Sequence, residues 1–214
     1  MQNSIISGIR DNHKRGTIGD FLREKINSSS KISIVSAYFT IYAYHNLKDE
    51  LDQIDKLDFL FGEPRFVRSL DPDKTDKKSF KIEDEELQLS NRLEQKKIAK
   101  ECSDWIREKV NIRSMVRPNF LHGKLYHINN NGINDAIIGS SNFTVRGLGL
   151  NEQSNIELNL EVDSRRDRED LFQWFQEIWN DKDLVEDVKD QVLEYLGQLY
   201  QENEPELIYY KTLY

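Results

Sequence analysis

The stretch LHGKLYHINNNGINDAIIGSSNF, residues 121–143, organises the reading of the whole chain. Residues 121–128 are β-forming. The run Asn129-Asn130-Asn131-Gly132 supplies residues that tolerate positive φ, and Ala136-Ile137-Ile138-Gly139 is β-forming again. This predicts a strand, a tight turn over 129–134 and a return strand. On an extended strand His122 and Lys124 share one face. Gly123 points the other way and would let another element approach. Ser140 and Asn142 lie two apart just past the return strand. They either cap a helix starting near Val145 or contribute polar groups to a site.

Working outward, 155–162 alternates, with Ile156, Leu158, Leu160 and Val162 on one face and Asn155, Glu157, Asn159 and Glu161 on the other. Upstream, 110–116 is a strand candidate ended by Pro118, and 57–61 is another, closed by Gly62. The strongly β-forming run 31–39 is the first core strand. Helical character is expected over 9–26, over 47–54 and, as a long polar helix, over 83–108, with Leu87, Leu93, Ile98 and Trp105 facing inward. Residues 63–82 are charged, contain Pro, and lack useful periodicity, which predicts an exposed excursion. After Asp163 the pattern turns helical, over 167–179 and again from about 184 to 199. Strands interleaved with helices argue for an α/β sandwich around a mixed sheet. The division expected is an α/β domain over 1–165 and a C-terminal helical extension over 166–214 packed on it. The chain ends on Leu213-Tyr214 after Leu207-Ile208-Tyr209-Tyr210, apolar residues expected to lead into a further region of a parent protein.

Of 214 residues, 37% are hydrophobic and 32% charged, and aromatic residues are spread throughout. That composition fits an ordered globular protein. No apolar run reaches the length of a membrane span and no secretory signal pattern opens the sequence. Cys102 is the single cysteine, so no internal disulfide forms. An intracellular, cytoplasmic setting without membrane association is expected. The net charge of -8 opposes broad binding to a phosphate backbone. The charge is uneven, however: residues 107–146 hold six Lys or Arg (Arg107, Lys109, Arg113, Arg117, Lys124, Arg146) and two acids (Glu108, Asp135). A local positive site on an acidic protein is compatible with that distribution.

His122, Lys124, Ser140, Asn142, Asn155 and Glu157 could converge on one edge of the sheet. Such a set suits phosphoryl transfer. Lysine and asparagine can hold the phosphoryl oxygens as charge develops in the transition state. A neutral imidazole can attack phosphorus, and a carboxylate such as Glu157 can fix its orientation. Each residue also has a plainer reading: a structural histidine, a solvated strand lysine, helix caps, a carboxylate on an exposed face. The histidines His13, His45, His122 and His127 form no metal-ligand pattern, Asp71, Asp73 and Asp76 read as a solvated loop, and no phosphate-binding Gly-rich loop occurs. No cofactor is expected.

His122-Gly123-Lys124, then Gly139-Ser140-Ser141-Asn142-Phe143-Thr144 and Asn155-Ile156-Glu157, resemble the signature of the phospholipase D superfamily. The chain more closely resembles the phospholipase D-like domain at the N-terminus of bacterial DEAD/DEAH-box helicases linked to DNA repair or restriction. That resemblance implies a phospholipase D-like α/β/α sandwich and a metal-independent nuclease acting on DNA through a phosphohistidine at His122. Lys124 and Asn142 would bind phosphoryl oxygens, Ser140 would supplement them, and Glu157 would orient the histidine. Family members with one motif complete the site across a two-fold dimer, and no second H-x-K occurs here, so a homodimer is implied. A helicase motor in the same full-length chain is the further partner implied. One departure stands out: the family motif has aspartate five residues beyond the lysine, where this chain has Asn129. Phospholipid turnover is the less expected activity, since the sequence shows no evident apolar or amphipathic surface to admit a lipid. The rival reading is a catalytically weak DNA-binding and dimerisation domain of a helicase, and a plainer one a structural scaffold.

Overall fold

A computed structural model describes residues 8–62, 80–81, 92–117 and 120–200. In chain order these form β1 (Ile9–Arg10), α1 (Ile18–Lys25), β2 (Ser30–Ser36), β3 (Phe39–Thr40), α2 (Ile41–Asn46), α3 (Lys48–Leu51), β4 (Lys56–Phe61) and β5 (Phe80–Lys81). There follow α4 (Arg92–Lys109), β6 (Val110–Met115), β7 (Lys124–Asn130), β8 (Ile133–Gly139), α5 (Val145–Leu148), β9 (Asn159–Glu161), α6 (Arg165–Asn180), β10 (Val185–Asp187) and α7 (Lys189–Tyr200). Most of the expected 63–82 excursion, the start of the long helix with Leu87, and everything after residue 200 lie outside the described residues.

Eight strands make one mixed sheet in the order β1-β9-β8-β7-β2-β4-β6-β10. β2, β4 and β6 run parallel, and the remaining pairings are antiparallel. The parallel strands are apolar on both faces because helices cover both. On one face Ile32, Ile34, Leu57, Phe59, Ile112 and Tyr126 join a core with α1, α2, α4, α5 and α7. On the other, Val35, Leu60, Met115 and Leu125 pack against Phe175 and Trp179 of α6. The result is the α/β/α sandwich expected.

The β7–β8 hairpin closes on Asn131 and Gly132, with φ of 53° and 91°, the left-handed pair that a two-residue hairpin turn requires. The Asn129 side-chain oxygen accepts from the Gly132 N–H at 3.2 Å, and its amide donates to Asn134. At the position where the motif has aspartate, asparagine thus fastens the turn.

Local differences from the sequence reading have identifiable causes. The helix expected over 9–26 begins only at Ile18, because Asp11 draws the N–H groups of His13, Lys14 and Arg15 onto one carboxylate oxygen, each at 2.9 Å. The helix expected from about 184 starts at Lys189, since Val185–Asp187 pair with β6. β7 begins at Lys124 rather than at 121, so His122 lies in the segment leading into the strand.

Candidate active site

The amino end of β7, the carboxyl end of β8 and the start of β9 meet at one corner of the sheet. Lys124 pairs with Gly139, which pairs with Asn159, and Leu125 pairs with Val35 near the carboxyl end of β2. Open α/β sheets place ligands at this end of their parallel strands. Two glycines make the corner possible. A Cβ on Gly139 would lie 2.3 Å from both the Leu158 carbonyl and Asn159 Oδ1. One on Gly62, at the end of β4, would lie 2.4 Å from the Leu121 carbonyl and displace the segment carrying His122. Gly123, expected to permit a close approach, has nothing within 4 Å of such an atom.

Lys124 is half-buried, and alternation from Leu125 and Tyr126 directs its side chain to the face of the larger core. Its Nζ donates to the backbone carbonyl of His122 at 2.8 Å. This bond, not a shared strand face, ties the two residues. Burial lowers the Lys124 pKa, and the charge of Glu157 opposes that shift. His122 itself is exposed.

Glu157 accepts a short hydrogen bond from Ser140 Oγ and a longer one, at 3.4 Å, from the Asn155 amide. The Ser140 hydroxyl also accepts from the Leu158 N–H at 3.1 Å. Ser140 thus has its proton committed to the carboxylate. Asn142 does not cap the following helix; Thr144 does, accepting from the Gly147 N–H at 2.9 Å. Instead Asn142 Oδ1 accepts from the Ala37 N–H at 3.0 Å and lies 3.2 Å from Ser36 Oγ, which leaves its Nδ2 as the donor. Asn155 and Glu157 precede β9 rather than forming part of it.

Several positioning residues escaped the sequence reading. Fully buried Ser36 accepts from the Phe143 N–H at 3.0 Å and donates to the Tyr38 carbonyl, joining the end of β2 to the 141–144 turn. Buried Tyr126 donates to the Ser141 carbonyl at 2.9 Å beneath the site, and burial, aided by the charge of Glu157, raises its pKa. Asn159 accepts from the Ser141 N–H and donates to Ser141 Oγ and the Arg10 carbonyl. A small polar residue closing an apolar strand was the available signal for Ser36. The polar half of the alternating 155–162 stretch was the signal for Asn159.

The apolar half of that stretch points outward: Ile156, Leu158 and Leu160 are 76%, 67% and 50% exposed. On the α6 side of the corner, Leu158 and Leu160 join Leu125, Ile138, Leu171 and Trp174 around a trough of about 550 Å³, bounded also by Gly123 and Lys124. An apolar surface next to the site, not evident in the sequence, is therefore present. Among the described residues no group of three or more His, Cys, Asp or Glu side chains is arranged to hold a metal, and no helix is long and apolar enough to cross a membrane.

A family model described as "Cardiolipin synthase, PLD-like domain" matches residues 22–179. Among solved structures, the chain is similar to polyphosphate kinase from Porphyromonas gingivalis, at 13% identity and a TM-score of 0.48, over 82% of this chain and 21% of that one. It is also similar to phosphatidylserine synthase from Haemophilus influenzae Rd KW20, at 10% identity and a TM-score of 0.49, over 90% of this chain and 43% of that one. It thus spans less than half the length of either. No curated protein matches.

Proposed function

The chain belongs to the phospholipase D-like domain family, and from that membership we propose a metal-independent phosphodiesterase that cleaves DNA, its complete site shared by two copies of the chain. The observation that carries this reading is the corner itself: Lys124, Asn142 and the Ser140–Glu157 pair, fixed by backbone and side-chain bonds beside exposed His122. A His122 imidazole nitrogen attacks phosphorus. The P–N bond forms as the bond to the leaving oxygen breaks, and that oxygen takes a proton from the His122 imidazolium of the second copy. The second imidazole then deprotonates water, whose oxygen attacks phosphorus, and the P–N bond breaks. Lys124 and the Asn142 Nδ2 hold the non-bridging oxygens, on which charge grows. Glu157 orients the imidazole, and Ser140, with its proton given to Glu157, serves to hold that carboxylate. A helicase motor elsewhere in the full-length chain, and a role in DNA repair or restriction, are the context this reading carries.

One observation favours a second substrate. The apolar trough beside Lys124 suits a diester carrying an apolar group, as a phospholipid does. Both substrates enter one test. The purified protein, in excess EDTA, is given a labelled oligonucleotide and, separately, phospholipid vesicles. The expected result is DNA cleavage that His122→Ala lowers about a thousandfold or more, with the dimer intact by sedimentation. Activity that EDTA abolishes would contradict the mechanism. Cleavage of lipid alone would overturn the DNA substrate, and DNA binding without cleavage would leave a binding and dimerisation module.

A further inference from the structure

Resting on the nuclease reading and extending it, we infer that residues 11–16 form a phosphate-gripping lip. Exposed His13, Lys14 and Arg15 hold the strand of a polynucleotide beside the scissile phosphate.

The lip is a built feature. Asp11 Oδ1 collects the backbone N–H groups of His13, Lys14 and Arg15, each at 2.9 Å. With those N–H groups occupied, an incoming anion is left to the three side chains. Asn12 takes a left-handed φ of 58°, its N–H donates to the Gly16 carbonyl at 3.0 Å, and its amide donates to the Gly147 carbonyl at 2.8 Å. The lip is also fastened to the site: the Glu157 N–H donates to the Asp11 carbonyl at 3.1 Å. His13 is two residues from that anchor, a reach of at most ~7 Å. The lip is thereby tethered next to Glu157, whose charge acts on Lys124.

Charge pairing separates this lip from its surroundings. Arg10 is paired with Glu24 and Glu161, Arg23 with Glu50, and Lys25 with Asp135. Among the described residues, Lys14 and Arg15 have no carboxylate within 4 Å of their cationic groups, and both are exposed. In a chain of net charge -8, Lys14 and Arg15, neither in a salt bridge and Arg15 acting only through space on Asp11, fit with His13 a repeating anion on a turn one hydrogen bond from a site residue. An isolated diester would reach Lys124 without touching them.

The test uses a triple variant, H13A/K14A/R15A, which keeps every backbone N–H that Asp11 binds. Affinity for a labelled single-stranded oligonucleotide is measured against salt, in the whole chain carrying His122→Asn so that the strand survives. Hydrolysis of bis(p-nitrophenyl) phosphate is measured with His122 in place. The expected result is an affinity loss of about tenfold or more and a salt slope shallower by about 0.7 for each phosphate no longer gripped, with small-diester hydrolysis within about twofold of the parent. Unchanged affinity and slope, in a parent that binds the oligonucleotide, would overturn the lip while leaving the nuclease reading standing. A parent that hydrolyses the small diester but binds no oligonucleotide would overturn the DNA substrate and the lip together. Stronger binding to anionic phospholipid vesicles than to the oligonucleotide, abolished in the triple variant, would reassign the lip to a lipid surface.

Discussion

In β2 the apolar residues Ile32, Ile34 and Val35 are buried and Lys31 is exposed, whereas around β9 Ile156, Leu158 and Leu160 face outward and Asn159 is 1% exposed. Both stretches set polar residues between apolar ones, and both join the same sheet. β2 obeys the hydrophobic effect, each buried branched side chain contributing roughly 1.5–3 kcal/mol. β9 is ordered instead by polar bonds. Asn159 links the Ser141 backbone and hydroxyl to the Arg10 carbonyl, and so fixes the turn bearing Ser140 and Asn142. The apolar side left outside adjoins the trough at Lys124. An exposed apolar patch of this kind marks an interaction surface, and a second copy completing the half-site is the occupant our functional reading supplies.

The sharpest way to break this comparison is Asn159→Leu. If β9 is held by polar bonds, the leucine removes the Asn159 partner of both the Ser141 N–H and the Ser141 hydroxyl, which are buried. Urea unfolding is then expected to show a loss of about 4 kcal/mol, from two unsatisfied buried groups and an overfilled site. A loss under about 1 kcal/mol would mean that β9 rests on apolar packing after all.

His127 sharpens the contrast from the β2 side, since it pairs with Ser33 of that strand. It is fully buried, stacked on Phe172 at 5.0 Å, and neither ring nitrogen has a hydrogen-bond partner. Burial pushes its pKa down from 6.5 to about 4; the Arg168 backbone and the charge of Asp135 oppose that shift, without reaching hydrogen-bond geometry with the ring. Between these values the unfolded chain binds more protons than the folded one. Stability from this group is therefore complete above pH 6.5 and falls as the pH drops toward 4, by up to about 3 kcal/mol. His127→Phe should flatten that part of the profile of stability against pH. An unchanged profile would show that His127 is not the group responsible.

The smallest effect is expected at Leu158→Ala. In the monomer it should cost no more than about 0.5 kcal/mol, because little of the side chain is buried. The same change should weaken self-association in sedimentation equilibrium. A large monomer loss would mean that the outward face is in fact packed.

The elements legible in the sequence were those for which local pattern and burial agree. β2, β4, β6, the Asn131-Gly132 hairpin and α6 all follow from apolar runs or turn chemistry. Helix α2 lies between the strand expected over 31–39 and the helix expected over 47–54; Ile41, Tyr42 and Tyr44 are types favoured in strands, while the Thr40 hydroxyl capping the Ala43 N–H starts a helix. The site was legible as a set of residue types between 122 and 157. Its supports were not, since Ser36 reaches Asn142 and Phe143 across more than a hundred positions. Such a contact leaves no periodic trace. The outward turn of Leu158 and Leu160 was hidden for a related reason: alternation tells that two faces differ, and only the partners of Asn159 decide which one is buried.

In the proposed reaction His122 becomes covalently bound to phosphorus. The most direct measurement is to quench the protein and a labelled oligonucleotide early in turnover, in EDTA, and to map the adduct by mass spectrometry. An acid-labile phosphoryl-DNA adduct on His122, absent from His122→Ala, is the result expected. Continued cleavage with no adduct on His122, or an adduct on another side chain, would contradict it.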